Sequence, residues 1–202
     1  LTTHATFGDT STVNMSAGTI SGGTIASAVT GTLGSGIVFP AGHVIQVKHT
    51  ISNTTFSSNV GQTITNITFL NTEITPKKQS SRMVITFNFG TISSTAATST
   101  AYGKVRYIPT GGTEVDVLPI GQKLCEGGYQ HVGVNAVSSS YQGDVGTSCV
   151  VSHLPDTTIP LTYKFYAWTE TGGGSIYLNK TQRDGVDDFE TVSSCTIMEV
   201  AV

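Results

Sequence analysis

Residues 82–90 read RMVITFNFG. Met83, Ile85, Phe87 and Phe89 alternate with Val84, Thr86 and Asn88. That is the period of two expected of a β-strand with one face on a core. Either Val84 or Ile85 could mark the inward side, and the two phenylalanines favour the Ile85 side. A one-residue slip would turn every side chain over, so the fold rests on this reading.

The same pattern recurs on both sides of this strand. HVIQVKHTI (43–51), QTITNITFL (62–70), AYGKVRYIP (101–109), TEVDVLPI (113–120), TSCVVSHL (147–154), LTYKFYAWTE (161–170), SIYLNK (175–180) and SSCTIMEVAV (193–202) all read as strands. Turn residues separate them: Pro76-Lys77, Gly111-Gly112, Gly127-Gly128, Pro155-Asp156, Gly172-Gly173-Gly174 and Asp184-Gly185. Helical periodicity is nearly absent. About eight strands spaced by turns predict an all-β fold, an antiparallel β-sandwich of the jelly-roll kind. The expected core is Val47, Ile64, Ile67, Val84 or Ile85, Phe87, Val105, Tyr163, Phe165 and Ile197. In 161–170, Tyr163, Phe165, Ala167 and Thr169 share one face, and Lys164, Tyr166, Trp168 and Glu170 the other. Trp168 is read as packing at an edge or subunit contact, with a sugar-stacking platform as the alternative.

The first 36 residues differ. SAGTISGGTIASAVTGTLGSG (16–36) holds no charge and no aromatic ring. Its aliphatics Ile20, Ile25, Val29 and Leu33 have no partner within one extended chain, whereas intertwined copies could bury them. We therefore divide the chain into an oligomeric stalk or docking arm, 1–36, and a β-sandwich domain, 37–202. A flexible linker is the plain alternative.

Composition narrows the function. Charged residues are 11% and the formal net charge is −3, without the basic stripe that nucleic-acid binding needs. Ser and Thr make up roughly a quarter of the chain, a bias of all-β extracellular or virion surfaces. No apolar run is long enough for a membrane span, and no basic segment with an apolar run marks a leader. Three cysteines, Cys125, Cys149 and Cys195, with no tight spacing suggest thiols, with a Cys125–Cys149 pair still open. The five histidines lack metal-site spacing, and no cofactor or metal is expected. The acidic RDGVDDFE (183–190) does not match a calcium loop and reads as a hairpin tip. GTLGSG (31–36) follows no strand and lacks the Lys-Ser/Thr pair of a phosphate loop. Asn14, Asn53, Asn66 and Asn179 sit in glycosylation sequons of the kind that arise by chance in a Ser/Thr-rich chain.

The order of several stretches resembles the C-terminal regions of tailed-bacteriophage fibre proteins, particularly aquatic and cyanobacterial ones. These are GTIASAVTGTLGSGIVFPAGHVIQVKHT (23–50), FLNTEITPKKQSSRMVITFNF, LTYKFYAWTETGGGSIYLNK and the closing SSCTIMEVAV. In both, a small-residue stretch leads through a Phe-Pro-Ala-Gly turn into a strand. The likeness runs from about Gly18 to Val202, with residues 110–150 unmatched. It implies a homotrimeric, non-enzymatic virion fibre or spike tip at the particle surface. The arm would bind other virion proteins, and the tip a host-cell glycan or protein. A capsid-mounted fibre and a glycan-degrading tailspike are the alternatives, the latter disfavoured because no long repeat is present. Loops on a rigid scaffold carry binding. The receptor-contact candidates are therefore Tyr129, His131, Asn135, Tyr141, Gln142 and Asp144 in the strand-poor stretch 125–146.

Overall fold

The computed structural model describes residues 40–58, 63–94, 101–117, 130–131, 145–169, 175–180 and 190–202. All lie in the unit Val38–Val202; the proposed arm, 1–36, lies outside the described residues. In chain order the strands are β1 (Val44–Ser52), β2 (Phe56–Ser58), β3 (Thr65–Asn66), β4 (Thr72–Ile74), β5 (Arg82–Ser94) and β6 (Ala101–Pro109). They continue as β7 (Val115–Asp116), β8 (Gln130–His131), β9 (Val145–His153), β10 (Leu161–Thr169), β11 (Ile176–Leu178) and β12 (Ser193–Val200). All the pairings among them are antiparallel.

Several short strands lie end to end. β12 and β11 both border one side of β5, with Ser194 opposite Asn88 and Leu178 opposite Ile92, while β9 borders the other. β1 and β2 follow along β12 and β11. One sheet therefore has four rows: β1/β2, β12/β11, β5, β9. The other is built likewise as β3/β4, β10, β6, β7/β8. Numbered along the chain, the rows read 1-8-3-6 and 2-7-4-5. That is an eight-row antiparallel jelly roll, as the strand pattern predicted.

The stretch 62–70 departs from expectation. Only Thr65–Asn66 pairs as a strand, and Thr68–Leu70 forms one 3-10 turn before β4. The turn places Leu70 beside Ile67 and Ile74 in the core, all essentially inaccessible to solvent. β5 runs on past Gly90 to Ser94, and β9 begins at Val145, so both are longer than the pattern predicts.

Between the sheets lie Met83, Ile85, Phe87 and Phe89 of β5, Tyr163, Phe165 and Ala167 of β10, and Cys195 and Ile197 of β12. Phe165 packs on Phe87 and Phe89 with ring centroids 5.3 and 4.6 Å away. The expected core residues Ile67, Phe87, Val105, Tyr163, Phe165 and Ile197 are buried, and Ile85 rather than Val84 is the inward one. Val47 and Ile64 correct the expectation: they are 53% and 41% exposed. Ile64 precedes the point where β3 joins its sheet. Val47 points away from the core, as do the exposed Val44 and Ile51 of the same strand.

Two polar pins close this sandwich. At one end the Glu199 carboxylate is fully buried. It accepts hydrogen bonds from the Lys77 and Lys78 backbone N–H groups at 2.9 and 3.0 Å, the Ser81 hydroxyl at 2.6 Å and the Gln46 amide at 2.6 Å. At the other end Asn179, left-handed at φ 58°, is also fully buried. Its Nδ2 donates to the Ser52 and Thr54 carbonyls, and its Oδ1 accepts from Ser193. A sequon asparagine so enclosed offers no amide for glycan attachment in the folded protein. Beside it, a Cβ on Gly90 would lie 2.6 Å from the Thr191 side chain and the Val192 carbonyl, so this crossing needs glycine. Residues Pro40-Ala41-Gly42-His43 form a tight turn, with His43 N–H donating to the Pro40 carbonyl and Gly42 at φ 84°.

Candidate functional site

The outward face of the first sheet carries the feature that most needs a partner. β1 is turned inside out relative to its apolar pattern. Its inward positions are Gln46, Thr50 and Ser52, register partners of buried Glu199, Cys195 and Ser193, with Lys48 opposite Ile197. Gln46 is held there by Glu199 and the Thr75 carbonyl, and Thr50 by the Thr72 hydroxyl at 2.8 Å. Period two then obliges Val47 and Ile51 to face solvent, and the register shift between Val44 and Gln46 turns Val44 to the same side. Val44 stands beside Val200, and Val47 beside Met198, which neighbours Val84. Ile51 is 66% exposed and shares a shallow hollow with Val192. Val150 of β9 extends the apolar surface across the sheet.

Sequence reasoning misses this stripe because aliphatic residues in a strand default to the core. The available signal is the equally regular polar row Gln46, Lys48, Thr50 and Ser52.

The outward face of the second sheet is different. Lys164 lies beside Arg106, Tyr166 beside Lys104, and Trp168 beside Tyr102. Asp116 bonds Lys104 at 2.6 Å and Arg106 at 2.8 Å, while Glu114 takes Lys164 at 2.6 Å and the Tyr166 hydroxyl at 2.5 Å. Burial alone would raise the Glu114 and Asp116 carboxyls, but the hydrogen bonds from these partners outweigh it and hold both below the usual carboxylate range. Arg106 also lies 4.9 Å above the Tyr166 ring. The charges here satisfy one another. Trp168 and Tyr102 stack on each other at 5.7 Å. Tyr166 and Trp168 thus occupy the mixed face, as their alternation implied.

His153 is a further titratable group away from both faces. Its Nε2 meets the Tyr163 hydroxyl at 2.7 Å, and its ring packs 4.8 Å from that of Tyr107. Burial disfavours the imidazolium and lowers its pKa from 6.5 to about 4. Between those values the unfolded chain binds the extra proton and the folded one does not. Stability is therefore complete above about pH 6.5 and falls as the pH drops towards 4, by roughly 1.4 kcal/mol per unit. Urea midpoints at neutral pH and near pH 4.5 should show a loss for the wild type that His153→Asn largely removes. Equal losses in both proteins would mean other groups govern acid unfolding.

The Cys149 and Cys195 thiols are buried, and burial pushes them up to about 12 and about 11. Such thiols are poor nucleophiles at neutral pH. Among the described residues no three His, Cys, Asp or Glu side chains group as metal ligands, and no helix is long and apolar enough to cross a membrane. Of the receptor-contact candidates, only the backbone of His131 is described, in β8 opposite Tyr102. Tyr129, Asn135, Tyr141, Gln142 and Asp144 lie outside the described residues, as do Ile20, Ile25, Val29, Leu33, Cys125 and the acidic cluster up to Phe189.

No family model matches the chain, and no curated protein matches it. Among solved structures it is similar to the infectious bursal disease virus VP2 subviral particle, at 12% identity and a TM-score of 0.35, over 79% of this chain and 38% of that one. Particles of T=1 symmetry derived from the same virus give 12% identity and 0.37, over 86% and 40%. The virus's Gx strain gives 12% and 0.35, over 78% and 37%. The chain spans less than half the length of these proteins. Its assignment as a jelly roll stands on its own strand order.

Proposed function

We propose that this chain is a structural protein of a virus particle, and specifically the distal part of a homotrimeric bacteriophage tail fibre or spike that attaches to the host surface without enzymatic activity. The observation that carries this reading is the outward apolar stripe of β1, set directly after the small-residue arm. A domain with so few charges that leaves Val44, Val47 and Ile51 in solvent is suited to assembly. The jelly-roll order and the resemblance to phage fibre C-termini support the viral setting. Fold alone does not assign a function. A capsid-mounted fibre would share all these features and differ only in where the arm binds.

The test joins mass, binding and chemistry on the full chain. Light scattering should give three times the 21.1 kDa chain mass. On an array of bacterial surface glycans the labelled protein should be retained by at least one preparation. No new reducing ends should appear in the retained glycan. Tyr129→Ala with Tyr141→Ala should abolish retention and leave the mass unchanged. A monomer at micromolar concentration would overturn the fibre reading, and released reducing ends would make the protein a depolymerase.

A further inference from the structure

We infer that the β1–β12 stripe of Val44, Val47, Ile51, Met198 and Val200 lines the symmetry axis of the assembly, where it meets the same stripe on the other copies of this chain. The inference rests on the homotrimer proposed above, but not on host attachment or on a phage origin.

Three observations select a second copy as the occupant. The first is shape and chemistry. The exposed aliphatics form a narrow row along one strand pair, Val44 beside Val200 and Val47 beside Met198, rather than a pocket. A row running along a strand suits an axis roughly parallel to it, where equivalent residues of each copy come together under cyclic symmetry.

The second is charge. The outward positions of β1, β12, β5 and β9 with described side chains are Val44, Val47, His49 and Ile51; Ser194, Thr196, Met198 and Val200; Arg82, Val84, Thr86 and Asn88; and Ser148, Val150 and Ser152. They include no carboxylate and a single arginine, at the end of the row. Copies can therefore approach along this face with little like-charge repulsion and no acid to desolvate. The same positions lack a Phe, Tyr or Trp ring, so a glycan would find no broad stacking face. A lipid headgroup would find no basic cluster.

The third is where the rest of the chain enters. The arm, 1–36, lies just ahead of β1 in the chain, with Val44 eight residues beyond its last position. Its aliphatics Ile20, Ile25, Val29 and Leu33 have no partners in a single extended chain. Self-association of such arms would raise the effective concentration of one copy's stripe at the next.

The test uses the full chain. Val47→Glu with Ile51→Glu places carboxylates at two positions already in solvent, so the domain itself should stay folded by circular dichroism. The trimer should dissociate, with affinity between copies weakened roughly a hundredfold or more by like charges brought together and desolvated. Val47→Thr with Ile51→Thr keeps the strand propensity and removes apolar contact, and should weaken the trimer less. Ile159→Glu alters an equally exposed aliphatic off the stripe and should leave the mass unchanged. A trimer that survives both stripe variants overturns the inference and leaves the homotrimer standing. A monomeric wild type overturns both. Lost glycan binding with a stripe-dependent trimer overturns only the attachment reading.

Discussion

Glu199→Ala is expected to lower stability by roughly 3–5 kcal/mol, because several buried donors lose their acceptor at about 1–3 kcal/mol each. The carboxylate has no access to solvent. Without it, the Lys77 and Lys78 N–H groups, the Ser81 hydroxyl and the Gln46 amide all lose their acceptor. Two of these donors belong to the backbone of a turn and cannot rotate away. For a domain of this size the melting midpoint should fall by about 10 °C. Glu199→Gln should recover only part of the loss, because its amide nitrogen would face donors on at least one side. Scanning calorimetry on the three proteins decides the matter. A shift of under about 1 kcal/mol for the alanine variant would show that water replaces the carboxylate readily and that the pin is incidental.

Phe87→Ala is expected to cost roughly 3–5 kcal/mol by emptying the centre of the core. Phe87 is fully buried, 5.3 Å from the Phe165 ring, between Cys149 and Cys195 on the flanking strands. Val84→Ala, on the outward side of the same strand, should cost far less in the monomeric domain. Equilibrium unfolding in urea measures both. The reverse ranking would mean that β5 is slipped by one residue, with Phe87 no longer paired with Cys149 and Cys195.

The strands that are plain in the sequence are those whose two faces differ in kind. In 161–169, apolar Tyr163, Phe165 and Ala167 oppose Lys164, Tyr166 and Trp168, and the structure puts the first set inward. In 82–90 both faces are apolar, so only the phenylalanines break the tie. For β1 the pattern locates the strand but turns it the wrong way, because its inward polar residues are stabilised by Thr72, Thr75 and Glu199. Those residues lie between 22 and 153 positions away along the chain, and local patterning carries no trace of them. The same distance hides the roles of Asn179 and Glu199, which in sequence are an ordinary sequon and an ordinary acid near the last strand. β2, β4 and β8 are two or three residues long, too short for a period to register. Of the candidate sites, the binding loop and the arm follow from composition and lie outside the described residues, apart from the His131 backbone. The stripe on β1 is within reach of the sequence, but only to a reader willing to bury a glutamine and expose a valine.

The position of β12 between β1 and β5 has a consequence for how the protein is made. Val44 must find Val200, and Ser52 must find Ser193, before the first sheet has its second row. A growing polypeptide can hold all of β1 through β10 and still have an open gap where that row belongs. Such distant pairings slow folding to the millisecond-to-second range. Completion must therefore wait until the residues of β12 have left the ribosome, and until then β1 lacks both its sheet partner and the Glu199 anchor of Gln46. During that interval its row of valines and isoleucine is sticky, and copies made from one message are the nearest surfaces available to it.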